Sequence, residues 1–387
     1  MSPKPRPRMV SRRGRVRLLV GGSLLFVALA VPTALLAGSF FDPVDYPVGA
    51  NPTSLAYGDL DGDGKMDLAV ANHDDAGISI LEMDWLNTTF EPKVDYPVGS
   101  GPTAITIADF SGDGRPDIAT ANDGDRSISI LEANFSGGTF ESKVDIPAGG
   151  RPGAIVAGKF GRPFGGGDGI PSGLAVTDIE NSNVLVTLFN SRGIPAEPVG
   201  YKVGDSPSGL VTASFNGDSR PDLATANSGV GTISVLLGNE EGTFGEKLDS
   251  VVGANPLSLA PVDLNGDGKQ DLVVAKEDGT VSVLRGKGTG TFKALGAAYP
   301  VGAKPVSIAL GRFNNDQWLD FATANYDDGS VSVLEGEANG SFSSRRDYLV
   351  GGHPSSIVAI DGRRKGNNDI AIANATDGDV SVLVNPN

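Results

Sequence analysis

The chain of 387 residues has no cysteine, two histidines and two tryptophans. Without cysteine there is no disulfide staple, no thiolate metal site and no thiol nucleophile. His73 and His353 fall in different parts of the chain, which argues against a shared zinc or catalytic role. Sustained helical periodicity is missing after about residue 40, so a helical core is excluded. Charge is modest at 20%, too low for a disordered polyelectrolyte, while 39% apolar residues suffice for a packed core. Basic residues are scarce and badly spread. Residues 1–39 hold Lys4, Arg6, Arg8, Arg12, Arg13, Arg15 and Arg17 with no acid, and removing those seven charges takes the formal charge from −16 to −23. A body that acidic excludes nucleic acid as a partner and is repelled by anionic membrane, but attracts divalent cations. What the chain has in abundance is glycine (54) and proline (25), which suits an all-β protein with many turns.

The arginine-rich start runs into residues 18–37, an uncharged stretch ending in small residues. Basic, apolar, then small is the layout of a secretory signal. The stretch Ser11-Arg12-Arg13-Gly14 loosely matches a twin-arginine signal, although Arg15 stands where a hydrophobic residue belongs. The same stretch is long enough to stay in a bilayer as an uncleaved anchor. The expected division is therefore a signal peptide or signal anchor over 1–37 and one folded body over 38–387. The body is expected to be secreted or at the cell surface, and to meet membrane only if the first segment is retained.

The body repeats itself. Residues 46–84 (YPVGANPTSLAYGDLDGDGKMDLAVANHDDAGISILEMD) recur from Tyr96 as YPVGSGPTAITIADFSGDGRPDIATANDGDRSISILEAN, and further copies begin at Ile146, Tyr201, Val251, Tyr299 and Tyr348. An aromatic after a small-residue turn marks copies 1, 2, 4, 5 and 6 (Phe90, Phe140, Phe244, Phe292, Phe342), with Ile194 in copy 3. Within a copy, runs such as LAVA, ISIL and VSVL, bounded by Gly, Asp or Pro, read as short strands. In copy 1 the four strands are expected near 54–58, 67–71, 78–82 and 90–98. Seven copies of four antiparallel strands predict an all-β, seven-bladed β-propeller. Copy 7 stops at VSVLVNPN without a Phe-led fourth strand, while residues 38–46 (GSFFDPVDY) match residues 340–348 (GSFSSRRDY), aligning Phe40 with Phe342. The last blade is thus expected to be closed by the N-terminal strand, which removes an exposed edge.

Between the first and second strands lies an acidic loop. Copy 1 offers Asp59, Asp61, Asp63 and Asp67, copy 2 Asp109, Ser111, Asp113 and Asp117, and copy 5 Asp263, Asn265, Asp267 and Asp271. Side-chain oxygens at positions 1, 3, 5 and 9, with the position-7 carbonyl of Lys65, Arg115 or Lys269, can wrap a hard cation that wants six to eight oxygens, which favours calcium over magnesium. Ordinary Asp-Gly turns look similar singly, but three well-formed copies at one place in a repeat point to about three calcium ions. An EF-hand would need glutamate at position 12, where Val70, Thr120 and Val274 stand. Copy 4 is weaker, keeping Asn216, Asp218 and Asp222 behind Ser214, with Ser219 for glycine. Arg312 begins the loop in copy 6, Arg363 and Lys365 enter that of copy 7, and copy 3 has a longer glycine-rich loop at 161–169.

The recurring P-x-S-x-A-x-x-D-x-x-G-D-G-x-x-D-L-A-x-A-N, V-S-V-L, G-T-F and Y-x-V-G resemble the FG-GAP repeats, also described as VCBS repeats, of the integrin α-subunit propeller and of many bacterial secreted proteins. The resemblance spans the whole body. It implies calcium in the aspartate loops of copies 1, 2 and 5, and binding or adhesion more often than catalysis.

Loops between strands two and three, and between blades, should share the face opposite the acidic turns. They carry His73, Asp123, Arg126, Arg151, Lys304, Tyr326 and His353, the candidate ligand face. Asn72, Asn122, Asn227, Asn325 and Asn374 recur after strand two and read as turn caps. The leading functional expectation is a non-enzymatic binding or adhesion module for an extracellular protein or glycan. Two alternatives stand beside it. One is a polysaccharide-active lyase or hydrolase, for which no nucleophile is apparent. The other is a lectin, disfavoured because Trp85 and Trp318 occupy different repeat positions.

Overall fold

The computed structural model describes residues 40–84, 89–134, 138–161, 173–190, 192–361 and 366–386. The expected signal segment, Trp85, nearly all of the copy-3 insertion, and Arg363 and Lys365 lie outside the described residues. In the rest, every regular element is a strand. Strand β1 (Val44–Pro47) precedes blade 1, which comprises β2 (Pro52–Gly58), β3 (Asp67–Asn72), β4 (Gly77–Leu81) and β5 (Val94–Pro97), hydrogen-bonded in that order. Six more four-stranded antiparallel sheets follow, making seven blades.

The sequence dictates which strand goes where. β3 carries DLAVAN, apolar on both faces, and every residue of it is buried. It is the middle of a sheet sandwiched between two others, and the equivalent Asp117–Asn122, Asp222–Asn227, Asp271–Lys276 and Asp320–Asn325 share that pattern. The fourth strands are mostly exposed, with one half-buried residue in each of Val44–Pro47 and Val94–Pro97, as an outer edge should be. They are shorter than the sequence suggests in blade 1, where Phe90 makes only an isolated bridge to Met83 before β5 begins at Val94. In blades 5 and 6 the strand runs unbroken, over Phe292–Pro300 and Phe342–Leu349. The break of blade 1 recurs in blades 2 and 4, where Phe140 and Phe244 make isolated bridges before the strands Val144–Pro147 and Leu248–Val251, although only copy 1 has a proline at the position of Pro92, so proline does not set it.

The hydrophobic core lies between blades. Leu55, Leu68, Val70 and Leu81 of blade 1 pack against Ile360, Ala371, Ala373, Val380 and Val382 of blade 7, and six similar clusters fill the other junctions. Small β-branched and alanine side chains set the spacing of neighbouring sheets. Edge-to-face pairs brace the rim, among them Tyr46–Phe90, Tyr96–Phe140, Tyr201–Phe244 and Tyr299–Phe342, with centroids 5.3–5.6 Å apart. Copy 3 replaces both partners with Ile146 and Ile194, and Phe189 instead packs on Phe110 at 5.6 Å.

Inner strands are stitched blade to blade through hydroxyls. Thr53 Oγ1 donates to the Pro102 carbonyl at 2.8 Å, Thr103 to Gly153 at 2.8 Å, Ser208 to Pro256 at 3.0 Å and Ser355 to Pro52 at 2.6 Å. The last of these joins blade 7 to blade 1. The central channel, about 400 Å³ where these strands converge, is lined among the described residues by such hydroxyls, small residues and aliphatic side chains, without a carboxylate, histidine, lysine or arginine.

Closure is a strand exchange. β1 pairs antiparallel with Asp379–Leu383, with Val44 opposite Val382 and Pro47 opposite Asp379. The Phe41 N–H donates to the Val384 carbonyl at 3.0 Å, and Phe40 is buried edge-on against Tyr348 at 5.4 Å and beside Phe313 at 5.9 Å. Phe40→Ala is expected to cost about 3–5 kcal/mol, as for a buried phenylalanine in any core. Urea unfolding followed by tryptophan fluorescence checks this, and a loss below about 1 kcal/mol would show that the closing segment does not stabilise the ring.

Candidate metal centre

The acidic loops sit where β2 turns into β3. In blade 1 the Asp59 carboxylate accepts the N–H groups of Gly62 (2.8 Å) and Gly64 (3.0 Å), winding the loop around itself. Gly62 and Gly64 take φ of 80° and 85°, a left-handed conformation that glycine adopts without strain. Blade 2 repeats this with Asp109 holding Gly112 and Gly114, and blade 5 with Asp263 holding Gly266 and Gly268. In blade 4 Ser214 Oγ accepts only the N–H of Ser219, which itself adopts φ 64° without glycine's freedom.

The ninth-position aspartate has a second duty in every described blade that keeps it. Asp67 is buried, and its two oxygens take the N–H groups of Leu60 and Met83, both at 2.9 Å. It thereby ties the acidic turn to the end of β4. Asp117, Asp222, Asp271 and Asp320 do the same, linking Phe110 to Ala133, Phe215 to Gly238, Leu264 to Gly286 and Phe313 to Gly336. Blade 6, whose loop begins with Arg312, retains the staple, so this aspartate is required by the fold whether or not a metal is present. Burial pushes the carboxyls of Asp67 and Asp320 up to about 6, and raises those of Asp117, Asp222 and Asp271 as well.

Which predicted ligands come together differs by loop. In blade 1, Asp59, Asp61 and Asp67 each offer a carboxylate oxygen within 4.8 Å of the others, which suits a cation about 2.3–2.6 Å from each oxygen. Asp63 turns away to pair with the Lys65 ammonium. Asp113 pairs likewise with Arg115, Asp218 with Arg220 (3.1 Å), and Asp267 more loosely with Lys269 (3.8 Å). Burial, followed by the charges of Asp63 and Asp59, raises the Asp61 carboxyl. Such crowding of partly desolvated carboxylates is relieved by a cation, so the donor set of blade 1 fits calcium.

One column of the repeat escaped the sequence reading. The residue after the ISIL or VSVL run is Glu82 in blade 1, Glu132 in blade 2, Arg285 in blade 5 and Glu335 in blade 6, just past the third strand in blades 1 and 2 and inside it in blades 5 and 6. Glu82 has its carboxyl raised by burial and then by Asp61 and Asp63, and Glu132 by burial, Asp117 and Asp113. Both therefore face their loops. The signal was available in register, since the position simply extends ISIL and VSVL by one residue.

The loops are also joints. A Cβ on Gly138, from the blade-2 turn, would lie 2.9 Å from Glu82 Oε1 and 3.3 Å from Asp61 Cβ, and one on Gly193 would lie 3.0 Å from the Phe110 carbonyl oxygen. The glycine of each small-residue turn thus seats one blade on the acidic loop of the blade before it.

On the opposite face the candidate ligand residues fall into two sets. Arg151 grips Asp123 through two 2.8 Å bonds, Arg126 reaches Glu180 at 3.1 Å, and His73 shares an open recess of about 530 Å³ with Asp74, Gly101 and Asp123. Separately, Tyr326 stacks on His353 (4.6 Å, 18°) with the Lys304 ammonium 4.9 Å from the Tyr326 ring. The recurring asparagines belong to neither set. Asn122 is a buried hub that donates to Ser127 and Ser129, and Ser129 passes a bond to Asp145, with the same relay at Asn227, Asn325 and Asn374. These asparagines join three strands, a larger role than capping a turn.

Comparison with known proteins agrees with this architecture. A family model described as FG-GAP-like repeat matches residues 59–120, 215–274 and 263–323. No curated protein matches the sequence significantly. Among solved structures, BBS1N in complex with ARL6DN is 15% identical with a TM-score of 0.61, covering 91% of this chain and 98% of that one. A functionally unknown protein from Desulfotomaculum acetoxidans gives 14% identity and 0.54 over 84% and 90%. A candidate 6-phosphogluconolactonase from Bacteroides uniformis gives 19% and 0.58 over 79% and 87%. At such identities the likeness concerns the fold alone.

Asp320→Asn, in the blade whose loop starts with Arg312, isolates the staple from metal. An amide accepts at one oxygen only and sets an N–H₂ against the other donor, so a loss of about 1–3 kcal/mol is expected. Because burial raises the folded pKa of Asp320 to about 6 from 3.8, its contribution is complete below pH 3.8 and is lost as pH rises through 6. The stability gap between wild type and variant should therefore narrow between pH 4 and 7 in chelator, measured by urea unfolding. A gap that widens over this range would refute the burial argument.

Proposed function

Because this chain carries FG-GAP-like repeats in a seven-bladed ring, we propose that it is an exported, calcium-stabilised propeller acting as a non-enzymatic binding or adhesion module. The observation that carries the calcium reading is the group formed by Asp59, Asp61 and Asp67. Asp109, Ser111, Asp113 and Asp117 would hold a second ion, and Asp263, Asn265, Asp267 and Asp271 offer the third set of donors. The ion supplies positive charge to carboxylates that burial has left poorly solvated. The chain's own residues do the rest: glycines bend the loop, the ninth aspartate fixes it to the sheet, and the next blade's turn rests on it. Bound calcium therefore stiffens joints between blades, a role that disulfides could take in other exported proteins.

Binding is assigned to the other face. Its loops vary from blade to blade on a repeated frame, which is where recognition usually resides. Charged and aromatic groups there suit an extracellular protein or a glycan. Among the described residues, the channel is lined by hydroxyl and aliphatic groups and not by the paired carboxylates that glycoside hydrolysis would need. The lactonase-like neighbour shares a fold at 19% identity, which transfers no activity. Among the described residues no helix is long and apolar enough to cross a membrane.

Removing calcium should lower the melting temperature by several degrees. At a dissociation constant of about 0.1 mM and free calcium of about 1 mM, each ion adds ~1.4 kcal/mol. Scanning calorimetry in calcium and in chelator tests this, with Asp59→Asn as the blade-1 control; identical curves in both buffers would end the calcium reading. A glycan and protein array probed in calcium tests the binding face. Arg151→Ala and Tyr326→Ala are each expected to weaken any captured ligand about tenfold or more through lost hot-spot contacts. Turnover of a polysaccharide by the purified protein would instead favour an enzyme.

A further inference from the structure

The three best acidic loops differ in charge. Counting the loop and the residue after the ISIL or VSVL run, blade 1 sets Asp59, Asp61, Asp63, Asp67 and Glu82 against Lys65. Blade 2 sets Asp109, Asp113, Asp117 and Glu132 against Arg115. Blade 5 has only Asp263, Asp267 and Asp271, facing Lys269 and Arg285. The Arg285 guanidinium is mostly buried and donates from Nη1 to Asp271 Oδ2 at 3.1 Å, while Asp271 is fully buried. Its Nη2 reaches the Asn339 carbonyl at 3.4 Å, in the blade-6 turn that rests on this loop. Gly340 in that turn comes so close that a Cβ there would lie 3.0 Å from Nη2. A second cation, Arg312, shares a recess of about 230 Å³ with Asp263, Gly266 and Trp318.

We propose that Arg285 is a resident cation that stands in for calcium at the blade 5–6 joint, so that blades 1 and 2 load calcium tightly and blade 5 loads it weakly or only at high concentration. This rests on the calcium reading given above. Site affinity follows the number of anionic ligands and the charge around them, and a guanidinium on the ninth-position carboxylate both occupies a ligand and repels a divalent ion. The same side chain bridges the two blades, so the joint stays fastened without metal. The residue after VSVL thus decides loop by loop whether a joint is fastened by calcium or by protein.

Trp318 in the shared recess makes loop 5 separately observable. Terbium, a luminescent substitute for calcium, should be sensitised there by Trp318, and the loop-5 signal is the part that Trp318→Phe removes. In the full-length wild-type chain that part is expected to need at least about tenfold more terbium than the high-affinity binding seen by calorimetry with calcium. Arg285→Gln should bring the two together and raise the tight calcium stoichiometry by one. Arg285→Lys, which keeps the charge, should behave as wild type and serves where the glutamine variant folds poorly. If Trp318-dependent emission saturates at the same terbium concentration in wild type and Arg285→Gln, or at the concentration of the tight sites in wild type alone, the assignment is overturned. Wild type that binds no calcium, with Asp59→Asn unchanged, would instead refute the calcium reading itself.

Discussion

Everything in this molecule depends on the pairing of Val44–Pro47 with Asp379–Leu383. A propeller keeps its hydrophobic core between blades, so an open ring would leave two apolar sheet faces in water and two unpaired edges. Here the junction of blades 7 and 1 is as full as any other, with Leu68, Val70, Ala371, Ala373 and Val382 buried in one cluster. The closing strand also brings Asp45 within 2.7 Å of Ser381, completing in blade 7 the Asn374–Ser381–Asp45 relay that other blades build from continuous chain. Closure thus reproduces the polar wiring of a blade as well as its strand count, which explains why residues 38–46 copy residues 340–348 so closely.

The repeat motif is a list of junction requirements. The glycine of Tyr-x-Val-Gly is needed because a Cβ on Gly49 would lie 2.6 Å from Asn72. The asparagine ends the second strand, and its amide serves the serine of the third. The aspartate that opens the second strand fastens two connections to the sheet at once. None of these residues needs a ligand to account for it. Their recurrence in blade 6, where the acidic loop has decayed, separates what the fold requires from what a metal requires.

How much of this could be read from the sequence follows from the same distinction. Period, blade number, order of strands and the split last blade were legible because they depend on pattern, which survives any local substitution. The length of the fourth strand was less so: it breaks after the aromatic in blades 1, 2 and 4 and runs on in blades 5 and 6, a difference of backbone pairing between copies that share one residue pattern. The asparagines looked like caps because a one-dimensional reading sees only the turn beside them, whereas their partners lie on the third strand. The ninth aspartates looked like ligands first, and their hydrogen bonds to Met83 or Gly286 join residues some sixteen positions apart. Arg285 was invisible for a related reason, since its importance comes from the loop it faces across the sheet.

Division of labour between the two faces then follows from electrostatics. On one face, acids are crowded, partly desolvated and set at joints between blades. On the other, Asp123 is held below the usual carboxylate range, chiefly by its paired bonds from Arg151, and Asp74 likewise by His73 and Asn51. Those acids already have partners that a ligand could exchange for its own. A rigid ring whose joints are fixed on one side leaves the opposite loops free to differ, and in this chain they do: an arginine–aspartate clasp across blades 2 and 3, an aromatic–cation stack across blades 6 and 7.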